Sequence, residues 1–262
     1  MSLFPLAFGA VQASIYVASL YIFPAGRPSP TFDRNATKTV AARCCSVIIA
    51  SVASTCLAHF VLTDSNNYWK VNLIDISKAI FHAMIFFLGP LYEVIVVQQG
   101  YRTWKHDLTN MIKEPTEWRN LVLGPLSEEV TFRRGIVPAC VSSGWSNTRT
   151  IFLAPVLFGL AHVHHMYEFL LQYPKAYVVA IVRSFIQFSY TSVFGWYVTY
   201  LFLQTKSIWP PFLVHAFSNY MGLPRFFGYL PLKKQTVYYY TLLVSGVVAF
   251  FASWDLFWSK EY

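Results

Sequence analysis

The sequence predicts an all-α fold, a multi-pass transmembrane bundle of seven or eight helices around an intramembrane cavity. Of its 262 residues, 55% are hydrophobic and only 12% are charged, whereas soluble domains contain about 25% charged residues. The apolar residues fall into runs of about 20, the length that an α-helix needs to cross a bilayer. A few ionisable side chains interrupt these runs, and such groups usually face a polar interior rather than lipid.

The predicted spans follow the apolar runs along the chain. They cover residues 3–24, 40–63, 77–98, 120–141, 150–172, 177–205, 208–221 and 237–258. The run 208–221 is short and contains Pro210 and Pro211, so it is expected either as a full crossing or as a re-entrant or tilted segment. The first run is expected to remain as a helix, because no basic segment precedes it as in a signal peptide. The whole chain, 1–262, is therefore one integral membrane domain, and its polar motifs lie within 120–224.

The basic residues lie between the apolar runs and predict the orientation. The net charge of +8 does not indicate a nucleic-acid partner, because the cations do not form one stripe with interleaved aromatic residues. They follow the first span, precede the fourth and precede the last, and alternating crossings place all three stretches on one side. Since Lys and Arg concentrate on the cytosolic side, we assign this side to the cytosol, with the lipid bilayer as the partner. The opposite loops, 64–76 and 142–149, carry few cations.

Five ionisable side chains inside the spans are the candidate site residues. They are Glu128, Glu129, Arg133, His162 and His215. In a helix, Glu129 and Arg133 share a face and can pair, while Glu128 points about 100° away. His215 likewise shares a face with Asn219, and counting along the helices puts all these groups roughly 13 to 20 Å below the cytosolic boundary.

Structural explanations compete with a catalytic one. A glutamate and an arginine one turn apart can be a buried ion pair that fixes helix packing, and a lone intramembrane histidine is often an interhelical hydrogen-bonding group. Glu128 is harder to explain in this way, because one arginine neutralises only one carboxylate well. Glu93 and Arg183 also interrupt apolar runs, and we expect them to form a structural pair.

The sequence does not predict a metal or another cofactor. His162, His164 and His165 are close in sequence, but this spacing does not put three imidazoles on one helical face, and there is no HExxH motif. The four cysteines lack the CxxC spacing of metal sites, so they are expected to be reduced residues of the core.

Three motifs occur in order on separate apolar helices. They are Glu128-Glu129-x-x-x-Arg133, Phe158-x-x-x-His162 and His215-x-x-x-Asn219. Together they resemble the motif set of the CAAX protease and bacteriocin-processing family. The longer strings at 158–165, 187–191 and 219–222 look like its eukaryotic branch, the Ras-converting CAAX prenyl endopeptidases. The resemblance covers about 121–224, and the rest of the chain adds only hydropathy.

The resemblance implies a glutamate peptidase of the endoplasmic reticulum membrane. Such an enzyme removes the last three residues of prenylated CAAX proteins, among them Ras-like GTPases, from a site reached from the cytosol. Glu128 would be the general base, and His162 would help to hold the attacking water. His215 and Asn219 would stabilise the oxyanion.

The remaining candidate residues have less defined roles. Glu129 and Arg133 match positions that the family needs for activity or architecture. Phe158, which opens the second motif, is expected at the substrate-binding surface. Arg134 is a candidate for the cation that receives the substrate carboxylate.

Two other classes of function stay open. Glu, His and Arg at mid-membrane depth also build the relays of proton- or ion-coupled transporters, although the sequence has neither the inverted repeat nor the paired broken helices that are frequent there. A membrane scaffold with idle motifs is the second alternative. Cleavage of a farnesylated tetrapeptide in detergent separates these classes, since transport needs a sealed compartment.

The predicted orientation can be tested by labelling single cysteines in a protein that lacks the four native ones. A membrane-impermeant thiol reagent is expected to label Ser29→Cys from the cytosolic side of sealed vesicles and to leave Ser142→Cys unlabelled, because the basic loops face the cytosol. The reverse pattern would show that the orientation is wrong.

Overall fold

The computed structural model describes residues 3–62 and 66–258, except the side chain of Asp107, and these residues form helices and no strand. The α-helices are α1 (Phe4–Ser19), α2 (Thr37–Leu62), α3 (Leu73–Phe86), α4 (Leu88–Tyr92), α5 (Gly100–Lys113), α6 (Pro115–Trp118), α7 (Gly124–Glu129), α8 (Val137–Ser142), α9 (Asn147–Ala161), α10 (His164–Gln172), α11 (Tyr177–Thr205), α12 (Trp209–Met221), α13 (Lys233–Ala252) and α14 (Trp254–Phe257). Three π-helical segments join some of them: Glu93–Val97, Arg119–Leu123 and Val130–Arg134. The predicted all-α class is confirmed.

Fewer helices than predicted have the length of a full membrane crossing. Four stretches of the described residues qualify, namely α2, Asn147–Gln172, α11 and α13, and the pair Leu73–Phe86 and Leu88–Val97, bent by 82°, would be a fifth. The prediction of a multi-pass membrane bundle is confirmed, but the count of seven or eight holds only if shorter and broken helices also lie in the membrane.

Prolines and π-helical turns account for the shorter pieces. The predicted span 120–141 is divided between α7, α8 and two π-helical segments, and Pro125 and Pro138 stand in the first turns of α7 and α8. Proline lacks the N–H that an α-helix needs in its interior, so it favours a new helix start. The predicted span 40–63 is described up to Leu62, and Thr63 with the start of the loop 64–76 lies outside the described residues.

Small residues allow α9 and α11 to approach closely. A side-chain carbon at Gly195 of α11 would lie 2.5 Å from the Pro155 side chain, and one at Gly159 of α9 would collide with Ser192. Such small residues let backbones pack tightly where lipid provides no hydrophobic driving force between helices. The close contact holds α9, which carries His162 at its end, against the longest helix of the chain.

A buried histidine that the sequence analysis passed over joins α3, α11 and α13. His82 is completely buried, and its two ring nitrogens lie 3.0 Å from the Tyr197 hydroxyl and 2.9 Å from the Phe250 carbonyl. Trp258 donates to the same ring over 3.1 Å. Because its hydrogen-bonding atoms are occupied within an aromatic cluster, His82 is a packing residue.

The expected pair of Glu93 and Arg183 is wrong. Glu93 instead forms an ion pair with Arg225, with 2.8 Å between oxygen and nitrogen. The Arg183 guanidinium lies 4.7 Å above the ring of Phe169. Both residues therefore have structural partners, but these partners are Arg225 and Phe169 and not each other.

Candidate active site

The acidic motif lies in a helix of irregular pitch. The six residues of α7 lie between two π-helical segments. In the second of these, the amide of Gly135 donates to the Val130 carbonyl five residues back. π-Helical turns of this kind are rare and occur frequently at functional sites. They widen the helix on both sides of Glu128 and Glu129.

Glu129 is completely buried between two partners. One carboxylate oxygen lies 3.1 Å from Nε of Arg133, and the other lies 2.7 Å from Nδ1 of His215. Arg133 is itself 1% exposed, and its guanidinium stacks 4.5 Å from the ring of Phe158. The pairing expected from the spacing of Glu129 and Arg133 is confirmed, while the contact with His215 was not anticipated.

Glu128 faces the cavity, and its side chain is 20% exposed. Its carboxylate oxygens lie 3.6 Å from Nε2 of His215 and 3.5 Å from the hydroxyl of Tyr16. The Tyr16 hydroxyl is also 3.0 Å from Oγ of Ser127, the residue before Glu128. The imidazole of His215 thus stands between the two carboxylates, with one nitrogen toward each.

Tyr16 is a site residue that the sequence analysis missed. It belongs to α1, a helix for which the sequence offered only hydropathy, and it is 7% exposed. A tyrosine within an apolar run has no sequence signature that distinguishes it from a core aromatic residue. Only the packing of α1 against the acidic motif reveals its position.

His162 and Asn219 line the same cavity as Glu128, and among the described residues neither of them forms a hydrogen bond or an ion pair with Glu128. Nδ1 of His162 donates to the carbonyl of Phe158 over 2.8 Å, which leaves Nε2 as an acceptor. Asn219 donates from its side-chain amide to the carbonyl of Asn120 over 2.9 Å. A water molecule or a substrate group would therefore have to bridge Glu128 and His162.

Of the two predicted substrate-binding residues, one lines the cavity. Phe158 is 1% exposed and contributes to the cavity wall, where its ring also covers Arg133. Arg134 is half-buried and is not among the described residues that line the cavity. It is therefore poorly placed to receive the carboxylate of a substrate.

The cavity has a volume of about 1460 Å³ and is lined by polar, aromatic and basic side chains. Four candidate catalytic residues present charged or hydrogen-bonding groups to the cavity, namely Glu128, His162, His215 and Asn219. Aromatic rings form a large apolar wall that includes Phe86, Phe87, Phe194, Phe250 and Trp254. Arginines contribute a basic region formed by Arg34, Arg43 and Arg119.

One group of side chains has the spacing of a metal site. Ligand atoms of His164, His165 and Glu168 all lie within 4.8 Å of one another. However, the Glu168 carboxylate is in contact with Nη2 of Arg43, and Nε of Arg34 lies 4.0 Å from it. Two guanidinium groups repel a metal cation, so we interpret the cluster as an ion-pair network. The expectation of a metal-independent site stays a prediction.

The segment that carries these motifs matches a known family. Residues 117–221 match the family model described as "Type II CAAX prenyl endopeptidase Rce1-like". A protein of Schizosaccharomyces pombe named "Probable CAAX prenyl protease 2" is 49% identical over 243 residues, which are 93% of this chain and 90% of that protein. This chain belongs to the CAAX prenyl protease 2 family. The family resemblance inferred from the motifs is thereby confirmed, and together with the apolar helices it supports a multi-pass membrane protein.

More distant relatives match over shorter segments. The human protein named "CAAX prenyl protease 2" is 36% identical over 156 residues, 54% of this chain and 45% of its own length. The Arabidopsis thaliana protein of that name is 39% identical over 107 residues, 41% of this chain and 34% of its own length. No solved structure matches this chain.

The contact of Tyr16 with Glu128 predicts a role in positioning the carboxylate. Tyr16→Phe removes only the hydroxyl. Loss of this long hydrogen bond is expected to lower turnover by about 3- to 10-fold, which is in the range of an ordinary hydrogen bond and below that of a short bond to a charged group. Turnover of a farnesylated peptide and thermal stability should be measured together. Tyr92→Phe, whose ring packs on Tyr238, is the matched control. Turnover equal to wild type in Tyr16→Phe would remove this residue from the site.

Proposed function

We propose that this protein is an intramembrane endopeptidase that removes the last three residues of prenylated CAAX proteins by glutamate-activated water. The single observation that carries the proposal is the unequal environment of two adjacent carboxylates. Glu129 is buried in contact with Arg133 and His215, whereas Glu128 faces the cavity. The names of the relatives add the substrate class.

The charges of the cluster are consistent with an ionised base. Glu128 and Glu129 together carry two negative charges, and Arg133 supplies one positive charge. A protonated His215 makes the cluster neutral, and burial of charged groups is costly unless they are compensated. In this state Nδ1–H donates to Glu129 over 2.7 Å, and Nε2–H faces the cavity.

The proposed reaction uses these positions. Glu128 takes a proton from a water molecule that His162 helps to hold, and the hydroxide attacks the carbonyl carbon of the scissile peptide bond. His215 and Asn219 donate hydrogen bonds to the oxyanion that develops on the carbonyl oxygen. When the tetrahedral intermediate collapses, the C–N bond breaks and Glu128 returns the proton to the leaving amine.

The aromatic wall of the cavity suits a prenylated substrate. Burial of a lipid chain contributes about 0.8 kcal/mol per CH₂, and the rings of Phe86, Phe87, Phe194 and Phe250 offer an apolar surface beside the polar groups. A prenyl chain on this wall would hold the attached cysteine near Glu128. Ras-like GTPases and similar prenylated proteins are the proposed substrates.

Loop charges support the proposed location. The basic stretches of the chain favour a site reached from the cytosolic side of the membrane. There the C-termini of cytosolic prenylated proteins are accessible. We propose the endoplasmic reticulum membrane as the compartment, on the basis of the family resemblance.

Purified protein in detergent is expected to release the C-terminal tripeptide from a farnesylated CAAX tetrapeptide. The rate is expected to be unchanged after dialysis against a metal chelator, because Glu128 rather than a metal activates the water. Tripeptide release should be followed by mass spectrometry, with the unprenylated tetrapeptide as a poor substrate for comparison.

Two results would contradict this proposal in different ways. Absence of tripeptide release would contradict the endopeptidase assignment and favour the transporter or scaffold. Activity that is lost to the chelator and restored by zinc would refute metal independence while leaving the endopeptidase assignment intact.

A further inference from the structure

The basic region of the cavity is formed by arginines with different partners. Arg43 is 5% exposed, and its charge is compensated by contact with the buried carboxylate of Glu168. Arg34 lies at the edge of the same carboxylate, 4.0 Å away, and 51% of its side chain is exposed. One carboxylate thus serves two guanidinium groups, and Arg34 is only weakly compensated.

Arg119 has neutral hydrogen-bond partners, and the carboxylates of Asp33 and Glu117 act on it electrostatically without a described ion pair. Its guanidinium donates to the carbonyl of Arg34 over 2.5 Å and to the side-chain oxygens of Asn35 and Asn120 over 3.0 Å each. All three acceptors are neutral, and no carboxylate among the described residues forms an ion pair with Arg119. Neutral acceptors hold the guanidinium in one orientation without cancelling its charge.

The side chains that line this part of the cavity therefore carry more positive than negative charge, because Asp33 and Glu117 do not line it. Arg34, Arg43 and Arg119 line it, against the single buried carboxylate of Glu168. A fixed guanidinium with excess positive charge is suited to bind a carboxylate. An anion that enters the cavity would find its strongest partner at Arg119 and Arg34.

The sequence separation from Glu128 is comparable to the length of the leaving group. Arg119 precedes Glu128 by nine residues, and the first part of this segment, Arg119–Leu123, is π-helical. The rise along the chain is therefore somewhat less than the about 13 Å of a regular α-helix. Three residues in extended conformation span about 10 Å. A substrate carbonyl held beside Glu128 would thus bring a carboxylate three residues further on to within reach of the Arg119 side chain.

We propose that Arg119, supported by Arg34, binds the C-terminal carboxylate of the substrate and so determines that three residues are removed. This inference rests on the proposed function. It assigns to Arg119 the role that the sequence suggested for Arg134, which does not line the cavity. Arg119 is a specificity residue, and the reacting atoms remain with Glu128 and its neighbours.

The test compares two substrates that differ only at their C-terminus. Farnesylated tetrapeptides with a free carboxylate and with a carboxamide are assayed for kcat/KM with wild-type protein, Arg119→Gln and Arg119→Lys. We expect wild type to prefer the free acid by about 10- to 100-fold, in the range of a charged hydrogen bond. Arg119→Gln is expected to lose this preference because its rate on the acid falls to near its rate on the amide, and Arg119→Lys is expected to retain part of it.

Controls separate a specific effect from a general one. Arg102→Gln changes an exposed arginine of α5 outside the cavity lining and should leave the preference unchanged. Arg34→Gln should reduce it less than Arg119→Gln. An acid-to-amide ratio in Arg119→Gln equal to that of wild type, with both rates lowered, would show a structural role and overturn the inference.

The outcomes also distinguish this inference from the function on which it rests. If wild type cleaves acid and amide equally well, the carboxylate site is wrong and the endopeptidase stands. If wild type cleaves neither peptide, the proposed function itself fails.

Discussion

The buried carboxylate of Glu129 is the interaction on which the arrangement of the site depends. It contacts Arg133 at 3.1 Å within its own helical segment and His215 at 2.7 Å on α12, and Arg133 in turn packs on Phe158 of α9. Three helical segments are thereby joined through one charged group. Removal of one partner from a buried ion pair costs about 3 to 5 kcal/mol, because the other charge is left uncompensated. On the proposed mechanism, the pair is first a structural element and only indirectly a catalytic one.

This division of labour leaves Glu128 available for chemistry. Two adjacent glutamates in a helix point in different directions, and here only Glu129 is fully enclosed, between Arg133 and His215. His215 connects them, since Nδ1 contacts Glu129 and Nε2 lies 3.6 Å from Glu128. On the proposed mechanism, Glu129 orients and charges the imidazole that assists Glu128. On the same proposal, the aromatic wall and the basic region would supply binding surfaces for the two ends of a lipid-modified peptide.

The sequence predicted what depends on spacing within one helix and missed what depends on packing between helices. The fold class and the pair of Glu129 with Arg133 followed from hydropathy and from the i,i+4 relation. Tyr16, by contrast, reaches Glu128 across 112 positions of sequence, and Glu93 pairs with Arg225 instead of Arg183. Hydropathy identifies only the length of an apolar run, so it could not show where prolines and π-helical turns divide that run into shorter helices.

Parallel substitution of the two glutamates tests the central claim most directly. Thermal stability and peptide turnover should be measured for Glu128→Gln and Glu129→Gln in the same detergent. We expect Glu128→Gln to retain wild-type stability and to lose about 10²- to 10⁴-fold in turnover, as for a general base. Glu129→Gln should lower both stability and turnover, because Arg133 and His215 lose their counter-charge. Near wild-type turnover in Glu128→Gln, or wild-type stability in Glu129→Gln, would contradict the assignment of these roles.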